Sequence, residues 1–151
     1  AEQALALDER PSLGRLNAVL GKAHVAALRG DSRTALGLLD EGQRVFDVVG
    51  SDDAESDYAV PWWRFNVFIS LMAARLGAEQ LALQAQEEAA RNLPESLPRF
   101  RTHLDMHSGL MLVRAGDRDG GAAYARAALG ALPAAKHSLT LRMLMTEIER
   151  S

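Results

Sequence analysis

His103 and His107 lie four positions apart, and their spacing is the clearest pointer to chemistry in this chain. On a helix, two imidazoles so placed can coordinate one metal ion. The zinc-protease pattern, however, requires Glu directly after the first histidine, where this sequence has Leu104. Neither Asp105 nor the more distant His137 completes a recognisable ligand set. We therefore expect no bound metal and no cofactor, with metal-dependent hydrolysis as a remote alternative.

The two imidazoles also have a structural interpretation, in which one faces a groove and the other faces a helical turn. Histidine ordinarily titrates near neutral pH, so either placement allows a pH-sensitive contact. A nucleophilic site has even less support, because the chain contains no Cys. Ser70, Ser108 and Ser138 lie in helical patterns without the strained turn of a nucleophile elbow. The sequence thus favours a protein that is not an enzyme.

Two glycine- or acid-rich segments resemble ligand loops only in composition. The acidic segment over 50–57 lacks the aspartate spacing and the bend glycine of a calcium loop, and is expected to be a solvated loop. Gly120–Gly121 opens a predicted helix without the lysine of a phosphate-binding loop. Neither segment predicts a cofactor.

Trp62, Trp63, Arg64 and Phe65 form the densest aromatic cluster of the sequence. Aromatic residues with Arg are typical of binding hot spots. They are also typical of a packed helix start, where a guanidinium covers an indole. We expect one tryptophan in the core and leave open whether the other contacts a ligand.

Composition limits the function class. The chain has 151 residues, 17 Lys+Arg and 20 Asp+Glu, for a net charge of -3. This length suits one domain, and the mildly acidic balance argues against binding nucleic acid unaided. Apolar runs are too short for a membrane span, and no secretory signal is visible. The excess of Ala, Leu and Arg suggests a bacterial protein, which we expect to be cytoplasmic.

Apolar residues recur at helical spacing almost throughout, and no segment alternates as a strand does. We therefore predict an all-α fold of about seven helices. Predicted helices after a first partial one cover 13–29, 31–49, 61–76, 78–93, 98–115, 119–132 and 134–150. The last has an apolar stripe that can face either the preceding hairpin or a second copy of the chain, so homodimerisation stays open (Leu141, Leu144, Met145 and Ile148).

The helix breaks repeat. Hairpin turns are predicted at Gly30, Gly77 and Gly116, and the second and third are each followed 17 residues later by a proline, Pro94 or Pro133. Small residues lie five and twelve positions after each glycine, where the paired helices must approach closely (Ala35 and Gly42, Ala82 and Ala89, Gly121 and Ala128). A single hairpin cannot bury its apolar faces alone, so we expect the hairpins to stack.

This plan resembles the tetratricopeptide repeat in a divergent form, with units at about 11–49, 61–94 and 98–133. The resemblance is carried by the turn glycines, the small residues and the closing prolines. It implies one repeat domain over 1–151, in which 1–9 ends a preceding helix and 134–150 is a terminal helix. Since Ala1 then falls within a repeat, we expect the chain to be a fragment of a longer protein.

The units also resemble those that follow helix-turn-helix DNA-binding domains in actinobacterial transcriptional regulators. Trp63–Phe65, Leu76–Gly77, Leu93–Pro94 and Ala115–Asp117 carry this likeness. It implies a ligand- or peptide-sensing and protein-interaction domain, with DNA contacted only through a preceding domain. A general protein-protein scaffold is the alternative. Neither function involves a membrane.

In tetratricopeptide-like stacks the first helix of each hairpin lines a concave groove. Residues 13 positions before the turn glycines then face it, namely Asn17, Arg64 and His103, which can hold a carboxylate or a peptide carbonyl. The alternative is a solvated groove, or one filled by a missing part of the protein. The complete predicted ligand site comprises Asn17, Leu20, His24, Trp63, Arg64, Val67, His103, Met106 and Leu110.

Overall fold

The structure, a computed structural model, describes residues 13–49 and 61–151, with side chains for 15–47 and 61–151. Within these ranges the fold is all-α, as predicted, and contains no strand. The predicted partial helix over 1–9 and the predicted loop over 50–57 lie outside the described residues. The described helices are α1 (Leu13–Leu28), α2 (Ser32–Val49), α3 (Trp62–Leu76), α4 (Glu79–Asn92), α5 (Pro98–Arg114), α6 (Arg118–Ala131) and α7 (Leu139–Arg150), with a 3-10 turn at Ala134–Lys136.

The chain divides into two compact units between Phe65 and Asn66, inside α3. The N-terminal unit contains the α1–α2 hairpin and the start of α3. The C-terminal unit contains the rest of α3 and the helices α4 to α7.

The three turn glycines close their helices with the same hydrogen bonds. Gly30, Gly77 and Gly116 have φ of 74°, 70° and 105°, a conformation that glycine adopts without steric cost. Each glycine amide donates to the carbonyl three positions earlier, and the next amide donates to the carbonyl five positions earlier, with N···O distances of 2.9–3.2 Å. This is the Schellman arrangement. The predicted breaks are therefore chemically equivalent turns.

Two glycines set the spacing of the α5–α6 hairpin. A Cβ added to Gly109 would lie 2.7 Å from the carbonyl oxygen of Gly121 and 3.0 Å from Cβ of Ala125. A Cβ added to Gly121 would lie 2.6 Å from Cγ2 of Val113. The backbones thus approach closely where the sequence predicted a small residue at position 121.

The core of the C-terminal unit lies between α5, α6 and α7. Its α7 members are the four apolar residues that the sequence left available for either a core or a dimer contact, and all four are buried here. A two-point ion pair also fastens α7 to α3, with Arg75 Nη2 2.7 Å from Glu147 Oε1 and Arg75 Nε 2.9 Å from Glu147 Oε2. The buried core includes Met106, Leu110, Val113, Ala125, Leu132, Leu141, Leu144, Met145 and Ile148.

The last helix begins five residues later than predicted. Ala134–Lys136 forms a 3-10 turn, and α7 starts after Ser138, whose Oγ accepts a 3.2 Å hydrogen bond from the amide of Leu141. His137 Nε2 lies 2.7 Å from the carbonyl oxygen of Leu132, which holds the intervening segment in place. The spacing of apolar residues did not predict the cap at Ser138, because helical spacing is found on both sides of it.

In the N-terminal unit, α1 and α2 pack through fully buried Leu16, Val19, Ala23 and Ala35. The rings of Phe46, Trp62 and Phe65 cluster at the start of α3, with centroid distances of 5.2–5.7 Å. Both Trp62 and Trp63 are half-buried. Neither tryptophan is therefore fully buried, although the sequence predicts one in the core.

Candidate functional site: an apolar cavity with a polar floor

An open cavity of about 330 Å³ lies between α4, α5 and α6 in the C-terminal unit. We refer to it as the α4–α6 cavity. Most of its wall is apolar, and Gln86, Ser108, Glu79 and Tyr124 supply polar atoms. The complete lining is Glu79, Ala82, Leu83, Gln86, Ser108, Met111, Leu112, Ala115 and Tyr124.

Helical periodicity places this lining. The lining residues on α4 are 79, 82, 83 and 86, and those on α5 and its C-cap are 108, 111, 112 and 115. Both sets follow the spacing i, i+3, i+4, i+7, which puts all members on one face of a helix. Tyr124 projects from α6 to complete the wall. The cavity therefore forms where two faces with the same residue spacing, one on α4 and one on α5, come together.

Three large apolar side chains at this cavity are unusually exposed. Leu83, Leu112 and Tyr124 have 48%, 40% and 46% of their surface accessible. Single exposed apolar residues are common on protein surfaces, whereas a set gathered around a concavity is typical of interaction sites. These three residues give the cavity its accessible apolar rim.

A hydrogen-bonded chain runs from the cavity into the core. Ser108 Oγ donates to Gln86 Oε1 at 3.3 Å, and Gln86 Nε2 donates to Ser70 Oγ at 3.3 Å. Ser70 Oγ lies 2.8 Å from Nδ1 of His107. With its oxygen accepting from Gln86, the Ser70 hydroxyl is free to donate to this nitrogen. The chain therefore places the imidazole proton on Nε2.

His107 is buried, and its Nε2 has no hydrogen-bond partner among the described residues. The pKa of His107 is lowered to about 3, mainly by burial, with smaller contributions in the same direction from His103 and Arg75. The neutral ring is thus the stable form. Sequence reasoning identified His107 but missed Ser70 as its partner, because 37 positions separate them.

The two histidines do not behave as the sequence suggested. Burial, and secondarily the charge of Arg99, lower the pKa of His103 to about 4. The expectation of a contact that responds near neutral pH is therefore wrong for both rings. Their centroids lie 6.1 Å apart, and within residues 13–49 and 61–151 no three His, Cys, Asp or Glu side chains group as metal ligands.

The Ser70–His107 pair resembles a nucleophile and its base in distance alone. Ser70 has no accessible surface, so no substrate carbonyl can reach its oxygen in this structure. Among the described residues, none orients the second nitrogen of this base as a catalytic triad requires. The geometry fits a structural pair at the floor of the cavity.

The nine residues of the predicted groove fall into both compact units, and none of them lines the α4–α6 cavity. In the N-terminal unit Asn17 and Arg64 are exposed, whereas His24 and Trp63 are half-buried and Leu20 is buried.

In the C-terminal unit Met106 and Leu110 have no accessible surface, Val67 is buried and His103 is half-buried. The residues expected to form an apolar groove floor, Leu20, Val67, Met106 and Leu110, are therefore buried core residues here. They occupy inward-facing positions, and an inward-facing position in a tightly packed unit leaves no room for a ligand.

A second pocket of about 300 Å³ lies where α5 begins, next to the 3-10 turn. We refer to it as the polar pocket. Arg99 and Lys136 line it, and no acidic side chain from the described part of the chain does. Its complete lining is Ser96, Leu97, Pro98, Arg99, Ala135, Lys136, His137 and Ser138. The two pockets thus have opposite charge.

Comparison of the chain with protein-family models, curated proteins and solved structures gives no match in any of the three. Across the part of the chain that the structure describes, no helix has both the length and the hydropathy to cross a bilayer.

Proposed function

We propose that the C-terminal unit is a ligand-binding module and that the α4–α6 cavity receives a small amphipathic molecule. The main support for this proposal is the exposed apolar rim of Leu83, Leu112 and Tyr124 around a cavity of about 330 Å³. Ligand sites typically have volumes from about 300 Å³ upward, with apolar walls and a few polar groups that orient the ligand. Gln86 and Ser108 are such groups.

Within the transcriptional regulator that the sequence resembles, this module would be the sensing domain. The cavity is bounded by α4, α5 and α6, so a ligand that contacts all three helices would favour one of their relative arrangements. Such a preference for one conformation is the physical basis of a population shift. A preceding DNA-binding domain would then respond to that shift.

A direct test fills the cavity. Ala115 lines it at the end of α5, and Ala115→Phe would occupy space that a ligand needs. Ala123 is exposed on α6 outside the cavity, so Ala123→Phe is the matched control. We expect a library of small amphipathic fragments to shift the methyl resonances of Met111 and Leu112 in the unaltered protein. The same shifts should persist in the control and vanish in Ala115→Phe.

The alternative of a general protein scaffold makes a different prediction. A scaffold that used this face would bind a partner segment over several rim residues, and no fragment would bind alone. Absence of fragment-induced shifts at Met111 and Leu112, with a folded spectrum, would contradict the proposed function. Shifts confined to residues outside the cavity would contradict it equally.

A further inference from the structure

We infer that the α4–α6 cavity selects a cationic amphiphile, an apolar molecule with a protonated amine, and this inference rests on the proposed function. Among the described residues that line the cavity, Glu79 is the only Asp or Glu, and none is Lys, Arg or His. An anionic ligand would therefore meet a like charge and no compensating cation. A cationic ligand would meet a carboxylate.

The polar side chains at the floor of the cavity, Gln86 and Ser108, also favour a ligand that donates hydrogen bonds. The hydroxyl hydrogen of Ser108 is engaged within the protein, because Gln86 Oε1 at 3.3 Å and the carbonyl oxygen of Leu104 at 3.4 Å both accept from Ser108 Oγ. The lone pairs that remain on the oxygens of Ser108 and Gln86 are acceptors, and of these two side chains only the second amide hydrogen of Gln86 remains as a donor. A ligand ammonium or hydroxyl can donate to these acceptors, whereas a carboxylate cannot.

The separation of the polar groups indicates the length of the ligand. Glu79 and Gln86 lie seven residues apart on α4, which corresponds to roughly 10 Å along the helix. Leu83 lies between them on the same face, and Met111 and Leu112 line the opposite wall. An apolar body of about this length would place its amine at Glu79 and a second polar group near Gln86.

Glu79 should raise the affinity for a cationic ligand only modestly, because it lies in the first turn of α4. The free amides of a helix start carry a partial positive charge that opposes a bound cation. Glu79 is also exposed to solvent, which screens its charge. An exposed ion pair of this kind changes affinity by about threefold.

The experiment compares three probes of nearly equal size at neutral pH: 4-phenylbutylamine, 4-phenylbutanol and 4-phenylbutyrate. Affinities come from titrations that follow the resonances of Tyr124 and the methyl groups of Leu112. We expect the amine to bind about threefold more tightly than the alcohol, and the carboxylate to bind most weakly. Carboxylate bound in the polar pocket would be recognised by shifts at Ala135 instead.

Two variants distinguish the effect of the Glu79 carboxylate from the effect of the overall charge of the protein. Glu79→Gln should lower the affinity for the amine to that for the alcohol and leave the alcohol unchanged. Glu87 is exposed on the same helix outside the cavity, so Glu87→Gln removes an equal charge and should change none of the three affinities.

Equal affinity for the three probes, or an amine preference that survives Glu79→Gln, would overturn the cationic selectivity while leaving the proposed function standing. Failure of all three probes to shift Tyr124 and Leu112 would overturn both.

Discussion

The Ser70 hydroxyl lies 2.8 Å from Nδ1 of His107 in the interior of the C-terminal unit, and both side chains are buried. This bond joins α3 to α5, and Gln86 extends it to α4 and the cavity. One imidazole nitrogen is satisfied in this way. The stability of the unit should therefore depend on a hydroxyl that no ligand can touch.

Ser70→Ala should destabilise the protein by about 1–3 kcal/mol, because it leaves both nitrogens of a buried imidazole without a partner among the described residues. Ser108→Ala is the matched control at the half-exposed end of the same chain, where water can replace the lost group. We expect it to cost less than about 1 kcal/mol. Urea denaturation measures both, and equal costs would contradict a structural role for the Ser70–His107 bond.

Acid should destabilise the C-terminal unit as the pH falls below about 6.5. His107 and His103 have folded-state pKa values of about 3 and about 4, whereas the unfolded side chains titrate near 6.5. Between these values the unfolded chain binds protons that the folded chain does not. Stability is therefore complete above about pH 6.5 and falls as the pH decreases, by at most about 1.4 kcal/mol per pH unit for each histidine.

Denaturation series from pH 7 to pH 5 would measure this slope. His107→Gln and His103→Gln should each reduce it, because each removes one group that only the unfolded chain protonates. A slope that stayed the same in both variants would show that other groups cause the acid sensitivity.

Ala78→Asp should stabilise the protein by about 1 kcal/mol, because it completes the one turn of the three that lacks a capping side chain. Asp117 caps α6 by accepting from the amide of Gly120 at 2.9 Å, and Asp31 caps α2 by accepting from the amide of Thr34 at 3.2 Å. The backbone at Ala78 (φ -85°, ψ 79°) nearly matches that at Asp117 (φ -92°, ψ 75°). The new carboxylate can therefore reach the amide of Leu81.

Thermal unfolding compares this variant with Asp117→Ala, which should lose a similar amount. If Ala78→Asp is neutral while Asp117→Ala is destabilising, the turns are not equivalent in energy.

Gly121→Ala should destabilise the protein, because the added methyl would meet the backbone of Gly109 and the amide nitrogen of Val113, the latter at 2.8 Å. Overpacking of this kind typically costs about 1–3 kcal/mol. Gly130 lies on the same helix with open space where its Cβ would be. Gly130→Ala should therefore stabilise by about 0.5–1 kcal/mol through helix propensity. Urea denaturation measures the change in the free energy of unfolding, which should have opposite signs for the two substitutions. If both substitutions were stabilising, the result would contradict the close approach of α5 and α6.

The sequence by itself determined the helices and their turns. Gly30, Gly77 and Gly116 close their helices through bonds that span no more than five residues, so local chemistry suffices to predict them. The small residue at position 121 was likewise predictable from the repeat. The start of α7 was missed, because the cap at Ser138 interrupts a helical period that continues on both sides of it.

Only the tertiary structure decided which faces of the helices are core and which are cavity. The stripe at 79, 82, 83 and 86 and the stripe at 108, 111, 112 and 115 are visible in the sequence, but a core-facing stripe has the same period. Met106 and Leu110 were assigned to a groove and lie in the core, whereas Leu83 and Leu112 form the rim of the cavity. The Ser70–His107 bond depends on the packing of α3 against α5, which residue spacing along one helix does not specify.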